Sequence, residues 1–328
     1  MEKFSIYSDK TTGINPFIPV SLKPTIPTLF FHSIIIIVKL LIFIPTLILF
    51  VPILNTFSSG AKIITDVVLA YFFNVSETEL IVEGIKKSDE TNKLKKSPHC
   101  KDVILVNATG PLDWFIWKLV SENSKKVKVG IATSSGIVVM NHWFQWVNWC
   151  FNGSYELTPS VNDSNLINIV DIDASSSDID ASKDLQKLVG DNSTLYVIVE
   201  GTITNGKGLL SYPKGFDVGA FCKMVKNAGY GLKVMSVKVS PIGVTETVIP
   251  TSKLYWLFCN FGSLNMNVKY RLKLSDMSDI GNDMISDTII REKLANNGRF
   301  KLLGRDMDVT KKGEYLEAVR DNYEKKRK

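Results

Sequence analysis

Residues 102–120 read DVILVNATGPLDWFIWKLV, and this stretch decides the fold class. The run VILV is short, apolar and β-branched, as a buried strand is. A Gly-Pro turn follows, and Pro111 suits the start of the helix that LDWFIWKLV predicts. Similar apolar runs recur as KVGIAT, NIVDID, TLYVIVEG and LKVMSVKVSPIGV. Helical segments separate them, so the chain predicts an α/β fold, a mostly parallel sheet flanked by helices.

The predicted helices are PLDWFIWKLVSEN, VVMNHWFQWVNWCF, KDLQKLVG and DVGAFCKMVKNAGY. Ligands of such sheets bind outside the carboxyl ends of the strands. Asn107, Glu200 and Pro241 stand at three of these ends. We therefore expect the functional site at the edge where these residues meet.

An almost unbroken apolar run occupies residues 26–54, and it predicts a membrane anchor over residues 26–55. Lys39 lies near its middle, where a charge costs roughly 2.5–3.5 kcal/mol in a bilayer. Pro45 and Pro52 break or kink helices. The anchor is therefore predicted as one helix across the membrane or as a hairpin bent near Pro45, and the alternative to an anchor is a buried core helix.

The chain divides into five predicted parts. A polar segment covers residues 1–25 and the membrane anchor residues 26–55. An amphipathic helix with a basic linker covers residues 56–100, the α/β domain residues 101–275, and a helical basic tail residues 276–328. The tail ends in Lys325-Lys326-Arg327-Lys328, which resembles an ER-retrieval signal and also suits a basic end near anionic lipid.

The composition argues against a nucleic-acid-binding protein, a metal site and a disulfide framework. The net charge is +6, from 39 basic and 33 acidic residues, without the basic stripe or module of a nucleic-acid-binding protein. Four cysteines form no CxxC pair and the chain has three histidines, so neither a metal site nor a disulfide framework is expected. We expect no tightly held cofactor and no nucleic-acid partner.

Four sequence blocks, in order, resemble those of the glycerolipid acyltransferases, the PlsC-type family. The family's N-H-x4-D frame is matched by the segment Asn107 to Asp113, and its E-G-T-R block by Glu200-Gly201-Thr202-Ile203. Lys214-Gly215-Phe216 with Gly219-Ala220 matches a third block, and the strand end Val239-Ser240-Pro241 matches a fourth. The blocks span about residues 100–245.

The resemblance implies a histidine that deprotonates a glycerol hydroxyl as it attacks an acyl-CoA thioester, with an aspartate that orients the histidine. Here the aspartate is Asp113, but Ala108 stands at the histidine position. Asp113, Asn107 and Thr109 are the predicted catalytic residues. Asp113 also suits the positive end of a helix dipole, and Thr109 suits turn hydrogen bonding. His142 remains an alternative base, whereas His99 precedes the strand and belongs to its other end.

The resemblance also implies that the E-G-T-R block binds the phosphate of the acyl acceptor. Gly201 and Thr202 are present, Glu200 is an orienting group, and Ile203 replaces the arginine. Lys207 and Lys214 are the predicted alternative cations, unless they are solvated loop lysines. Trp143, Trp146 and Trp149 form a stripe at helical spacing, which predicts a core helix, a helix at the lipid interface or the lining of an acyl channel.

The resemblance therefore predicts an acyltransferase that converts lysophosphatidic acid and acyl-CoA into phosphatidic acid in triacylglycerol and phospholipid synthesis. Acyl-CoA is a co-substrate, and membrane lipid is a partner. The expected location is the endoplasmic reticulum membrane and the lipid droplet, with the catalytic domain facing the cytosol. The alternative is a catalytically inactive membrane protein that binds lysolipid or acyl chains as a scaffold.

Overall fold

The computed structural model describes residues 2–20, 25–54, 60–122, 126–155, 166–168, 185–186, 189–190, 192–262, 267–277 and 286–327. The helices that it describes are α1 Ile26–Leu54, α2 Gly60–Tyr71, α3 Glu90–Lys96, α4 Asp113–Val120, α5 Trp143–Phe151, α6 Val218–Asn227, α7 Lys253–Phe261, α8 Asp287–Gly298 and α9 Val309–Arg327, with a 3-10 helix at Glu2–Tyr7. The strands are β1 Val75–Val82, β2 Asp102–Val106, β3 Lys126–Ala132, β4 Gly136–Met140, β5 Leu166–Asn168, β6 Ser193–Ile198, β7 Gly208–Leu209, β8 Gly231–Ser240, β9 Val268–Asp276 and β10 Lys301–Leu302.

Eight strands form one sheet in the order β1-β9-β8-β2-β6-β3-β4-β5. At its centre β2 pairs in parallel with both β6 and β8. The carboxyl ends of these three strands therefore lie at one edge, as the sequence predicts. The pairings β8–β9, β3–β4 and β4–β5 are antiparallel. The predicted class, an α/β fold with a mostly parallel sheet flanked by helices, is confirmed.

Apolar clusters cover both faces of the sheet, which explains why the central strands read as continuous apolar runs. On one face Ile104 and Val106 of β2 pack with side chains of α2, α4, α5 and α7. On the other face Val103 and Leu105 pack with side chains of α6 and α8. Every residue of β2 is buried, so the turn that follows this strand is fixed to a rigid support.

The structure differs from the predicted elements at two places. Residues 138–140 belong to β4, not to the predicted helix, because Val138 and Val139 are β-branched and this segment pairs with β3, so that α5 starts only at Trp143. β1 lies before the predicted α/β domain yet pairs with β9, so the sheet extends beyond residues 101–275. Most of NIVDID and KDLQKLVG lies outside the described residues.

The predicted anchor segment forms a single helix, α1. The helix continues through Pro45 and Pro52, so the hairpin alternative is wrong. A proline removes one main-chain hydrogen bond, and here the bonds on either side keep the helix continuous. Among the helices in the described part of the chain, none has both the length and the apolar character that crossing a membrane requires.

One side of α1 packs against the domain. Ile36 is buried together with Phe72 of the segment after α2. The Lys39 ammonium donates to the side-chain oxygen of Asn74 at 2.7 Å and to the carbonyl oxygens of Phe72 and Phe261 at 3.4 Å. Lys39 therefore reaches polar acceptors of the domain, which explains how a charge is tolerated within this apolar helix.

The N-terminal segment and α9 pack together over the edge that carries the strand ends. Tyr7 and Phe17 share an apolar cluster with Leu210, Leu303 and Tyr315. The amide of Asn205, just after the second block, donates to the carbonyl oxygens of Asn15 and Ile18 at 2.8 and 2.9 Å. The chain's two terminal segments thus cover the turn that follows β6.

Candidate active site

The turn between β2 and α4 is held by the carboxylate of Asp113. One carboxylate oxygen accepts hydrogen bonds from the N–H groups of Thr109, at 2.5 Å, and Gly110, at 3.0 Å. The other oxygen accepts the Thr109 hydroxyl at 2.6 Å. Asp113 is fully buried, and burial raises its pKa to about 6 although the three hydrogen bonds lower it. Near pH 7 Asp113 is thus largely ionised but basic enough to accept a proton.

Thr109 contacts the Asp113 carboxylate and also lines a cleft. Besides donating to Asp113, Thr109 lines a small cleft at the carboxyl edge of the sheet. The other sides of the cleft are formed by residues after β6 and around the end of β8, including Thr204, Asn205, Gly206, Lys238, Thr245 and Glu246. The predicted edge site therefore exists, and Thr109 is the predicted catalytic residue that reaches it.

Asn107 joins the ends of two strands. Its side-chain amide donates to the carbonyl oxygen of Val237 at 2.9 Å, and its side-chain oxygen accepts the N–H of Val237 at 2.8 Å. Asn107 is buried and so fixes the β2 turn to β8. These contacts give Asn107 a positioning role.

Ala108 occupies the position of the expected histidine and belongs to the apolar cluster on the α4 and α5 face. The alternative histidines lie elsewhere. His142 is exposed at the start of α5. The His99 ring lies 3.0 Å from the carbonyl oxygen of Lys95, before β2 begins. Among the contacts of the described residues, no histidine touches Asp113, and its side-chain partner is the Thr109 hydroxyl.

The turn after β6 requires Gly201 and uses Glu200 as an anchor. Gly201 has φ +66°, and a Cβ there would lie 2.6 Å from the carbonyl oxygen of Ala132. The buried Glu200 carboxyl accepts the N–H of Leu210 at 2.7 Å. Burial raises the pKa of Glu200 to about 8 against the lowering effects of the Leu210 N–H, Arg291 and Lys312. Glu200 is therefore mostly protonated near pH 7 and fixes the loop as a neutral group.

A lysine from the C-terminal helix completes this turn. Lys312 of α9 is fully buried and donates to the Ser154 hydroxyl at 2.7 Å and to the Thr202 hydroxyl and the Ile203 carbonyl oxygen at 2.8 Å. Thr202 also donates its hydroxyl to the Ser154 carbonyl oxygen at 2.5 Å. We call Ser154, Thr202, Ile203 and Lys312 the Lys312 cluster.

Lys207 and Lys214, the loop lysines predicted as alternative cations, are not buried beneath the turn as Lys312 is. Lys207 is exposed, and Lys214 is 77% exposed with its ammonium 3.8 Å from a carboxylate oxygen of Asp308. The Ile203 side chain, at the arginine position, is buried in the apolar cluster. The cation beneath this turn is therefore Lys312. No local pattern in the sequence marks Lys312 as a site residue, because Lys311 and Lys312 together look like solvated residues of a basic tail.

The tryptophan stripe divides between core and surface. Trp146 and Trp149 are buried, and the Trp146 indole donates to the Pro111 carbonyl oxygen at 3.2 Å, so α5 supports the β2 turn. Trp143 and Phe144 are about half exposed, at 51% and 56%. The core interpretation is thus correct for two of the three tryptophans, and the remaining surface is apolar.

Comparison with known proteins agrees with the sequence blocks. The chain is 25% identical, over the full length of both proteins, to the "Lysophosphatidic acid:oleoyl-CoA acyltransferase 1" of Saccharomyces cerevisiae. The predicted resemblance to glycerolipid acyltransferases is confirmed. The enzyme class of this relative, acyltransferase, is the class that the sequence predicts. No family model matches the chain.

A solved structure is also similar to the chain. It is the 1-acyl-sn-glycerophosphate (LPA) acyltransferase PlsC from Thermotoga maritima, with 11% identity and a TM-score of 0.39. The match covers 83% of this chain and 95% of that one.

Proposed function

We propose that the protein transfers an acyl group from acyl-CoA to the free hydroxyl of lysophosphatidic acid, forming phosphatidic acid. The observation that carries this proposal is the Thr109–Asp113 pair, in which the hydroxyl of Thr109, a residue that lines the cleft, donates to a buried carboxylate at 2.6 Å. The similarity to an acyltransferase whose name contains both lysophosphatidic acid and oleoyl-CoA supports the choice of substrates.

In the proposed reaction Thr109 relays a proton. The acceptor's hydroxyl oxygen attacks the thioester carbonyl carbon and gives its proton to Thr109 Oγ1, while Thr109 gives its own proton to Asp113. The carbon–sulfur bond then breaks, and the coenzyme A sulfur takes a proton back through the same pair. The pKa of Asp113, about 6, suits both directions of this transfer near neutral pH.

Asn107, Gly201, Thr202 and Glu200 act in this proposal by holding the two turns. Asn107 fixes the first turn to β8, and Glu200 fixes the second through Leu210. The open cleft between the turns takes the glycerol phosphate part of the acceptor. Lys207 and Lys214, which are exposed, attract the anionic substrates rather than contacting them in a buried site.

Attachment to a membrane surface is part of the proposal. Exposed apolar side chains project from neighbouring helices: Phe30, Phe31 and Leu41 of α1, Phe144 of α5 and Leu254 of α7. α1 and α7 touch, since His32 lies 2.9 Å from the Phe258 carbonyl oxygen, and Lys253 of α7 lies over the Phe144 ring. Such a surface suits lipid, and we propose the cytosolic side of the endoplasmic reticulum or lipid droplet as its location.

The decisive assay uses purified full-length protein with oleoyl-CoA and lysophosphatidate in mixed micelles, measuring phosphatidate. We expect turnover in the wild type and a loss of at least about a hundredfold in Asp113→Asn. Full activity in this variant contradicts the proposed pair. Flotation with anionic vesicles tests the surface: Phe144→Ser should weaken binding, and Tyr323→Ser, at an equally exposed ring on α9, should not.

The inactive-scaffold alternative is favoured by one observation, namely that the Asp113 carboxylate is fully occupied by donors of its own turn. An aspartate whose role is only to hold the turn takes no part in catalysis. The same assay separates the two functions. Saturable lysophosphatidate binding without turnover of any acyl acceptor supports the scaffold and refutes the transferase.

A further inference from the structure

Lys312 is a fully buried amine that no carboxylate contacts among the described residues, although the buried Glu200 carboxyl acts on it electrostatically. Its ammonium donates to three neutral oxygen atoms, those of Ser154, Thr202 and Ile203. None of the ion pairs between described residues includes it. Lys233, also buried, instead contacts the carboxylate of Asp102 at 2.6 Å. Burying an unpaired charge destabilises a fold, so Lys312 needs a reason beyond packing.

Packing and hydrogen bonding do not supply that reason. Thr202 already donates to the Ser154 carbonyl oxygen, and the Ser154 hydroxyl already accepts the N–H of Ile203 at 3.2 Å. The helix is also close to this region without Lys312, since a Cβ on Gly313 would overlap the Tyr155 ring. A methionine of similar length would fill the same volume at less cost in desolvation.

The charge of Lys312 acts on the peptide group between Ile203 and Thr204. Its ammonium binds the carbonyl oxygen of that group, and a hydrogen bond at the oxygen polarises the N–H at the other end. That N–H belongs to Thr204, which lines the cleft beside Thr109. When Lys312 is protonated, its charge therefore polarises the N–H of a residue that lines the cleft, although the ammonium itself is buried.

We propose that Lys312 is the positioning residue that makes the Thr202–Thr204 turn a site for the phosphate of the acyl acceptor. Lys312 holds the turn through Thr202 and Ile203, and the polarised N–H of Thr204 donates to the phosphate in the cleft. The cation comes from α9 because Ile203 stands where the resemblance implies an arginine. The inference rests on the proposed function, since it names how that site recognises its anionic substrate.

Two titratable groups act on Lys312 from the elements around it. Burial lowers the pKa of Lys312 to about 7, and only the ionised forms of Cys150 of α5 and Glu200 after β6 act in the opposite direction. Burial raises the pKa of Cys150 well above its usual value, so its thiol stays neutral. A bound phosphate adds the negative charge that the cluster lacks and favours the ammonium form.

The test compares ligand binding to the full-length protein by calorimetry. The ligands are short-chain lysophosphatidate, the monoacylglycerol of equal chain length, inorganic phosphate and coenzyme A. We expect Lys312→Met to weaken lysophosphatidate binding about ten- to a hundredfold, the usual range for one charge-assisted hydrogen bond. Monoacylglycerol and coenzyme A should change by less than about twofold.

Lys311→Met is the matched control, because Lys311 is the preceding residue on α9 and its ammonium contacts Glu314 instead of the cluster. Unchanged lysophosphatidate binding in Lys312→Met overturns the proposal, and so does a loss confined to coenzyme A. A parallel loss for inorganic phosphate assigns recognition to the phosphate group itself. If phosphate does not bind even the wild type, a loss for lysophosphatidate assigns recognition to the lipid headgroup as a whole.

A second arm does not depend on the folding of Lys312→Met. Wild-type protein binds a short-chain phosphodiester lysolipid whose single negative charge is fixed near neutral pH. We expect its affinity to fall as the pH rises above about 7, the pKa of Lys312, and to fall less in Lys312→Arg, in which Glu200 still titrates at about pH 8. An affinity of the wild type that does not change with pH contradicts the proposal.

These binding measurements separate the inference from the proposed function. A wild type without turnover whose lysophosphatidate binding still depends on Lys312 refutes the transferase but not the anion site. A wild type with turnover whose binding is indifferent to Lys312→Met refutes the anion site but not the transferase.

Discussion

The turn after β2 and the turn after β6 are built from opposite charges. In the first, the Asp113 carboxylate gathers three donors of its own turn. In the second, the Lys312 ammonium gathers three acceptors, and it comes from a helix more than a hundred residues further along the chain. Both groups are fully buried, and burial moves the pKa of each towards neutral pH.

The difference teaches how each turn accommodates the loss of an expected residue. The first lacks the histidine at Ala108 but keeps its aspartate, which contacts the hydroxyl of the next residue, Thr109. The second lacks the arginine at Ile203, and no cation of its own loop is buried there. In our proposals a local partner, Thr109, takes the place of the histidine, and a distant partner, Lys312, takes the place of the arginine. The partner in the first turn can therefore be predicted from the sequence, whereas the partner in the second turn cannot.

The largest predicted effect concerns the first turn. Asp113→Asn keeps one oxygen for the two N–H donors but removes the base, so we expect kcat to fall by about a hundredfold to ten-thousandfold. Asp113→Ala also leaves the N–H groups of Thr109 and Gly110 without an acceptor, which costs about 1–3 kcal/mol each. Turnover rates and urea unfolding of both variants measure the two effects separately. Equal stability of the two variants contradicts the described turn.

The second turn predicts a pH-dependent stability. The folded pKa of Glu200, about 8, lies above the usual 4.5, so folded protein holds a proton that unfolded chain releases between these values. The contribution of Glu200 to the free energy of unfolding is therefore largest below about pH 4.5. It falls as the pH rises to about 8, by up to about 1.4 kcal/mol per pH unit. Glu200→Gln keeps an acceptor for Leu210 and should flatten this fall.

Unfolding free energies at several pH values measure the effect of Glu200→Gln as a difference from the wild type. Lys312 contributes in the opposite direction, since its lowered pKa makes stability rise above about pH 7. Glu77→Gln, at an exposed glutamate, is the control. Parallel curves for Glu200→Gln and the wild type count against a buried, protonated Glu200.

The smallest predicted effect separates backbone strain from crowding in the second turn. Gly201 and Gly206 have nearly the same φ, +66° and +68°, but only Gly201 is crowded. Gly201→Ala forces the Cβ against Ala132, so we expect a loss of about 1–3 kcal/mol, against about 1 kcal/mol for Gly206→Ala. Melting temperatures compare the two variants. Equal losses show that the approach to Ala132 is unimportant.

Much of the fold follows from local patterns in the sequence. The short β-branched runs that end at Asn107, Glu200 and Pro241 predict the three central strands and the edge where the turns meet. Asp113, Thr109 and Asn107 are predicted as site residues because their segment resembles the N-H-x4-D frame of the glycerolipid acyltransferases, and all three stand within one strand-to-helix turn. Such residues are close in space whatever the rest of the chain does.

Other features depend on contacts that no local pattern encodes. The helix predicted to begin at residue 138 starts instead at Trp143, because β4 competes for residues 138–140 by pairing with β3. Lys312 has the sequence environment of a solvated lysine, and only the docking of α9 against Ser154 buries it. The apolar helix α1 hides its single lysine in the same way, through acceptors around Asn74.

The central claim, that Thr109 and Asp113 together take the place of the histidine, is tested most directly at Thr109. Thr109→Val removes the hydroxyl at nearly constant volume, and Thr109→Ser restores it. With purified protein, oleoyl-CoA and lysophosphatidate, we expect kcat to fall by at least about a hundredfold in Thr109→Val and to stay within about tenfold of wild type in Thr109→Ser. Equal turnover by wild type and Thr109→Val would contradict the relay.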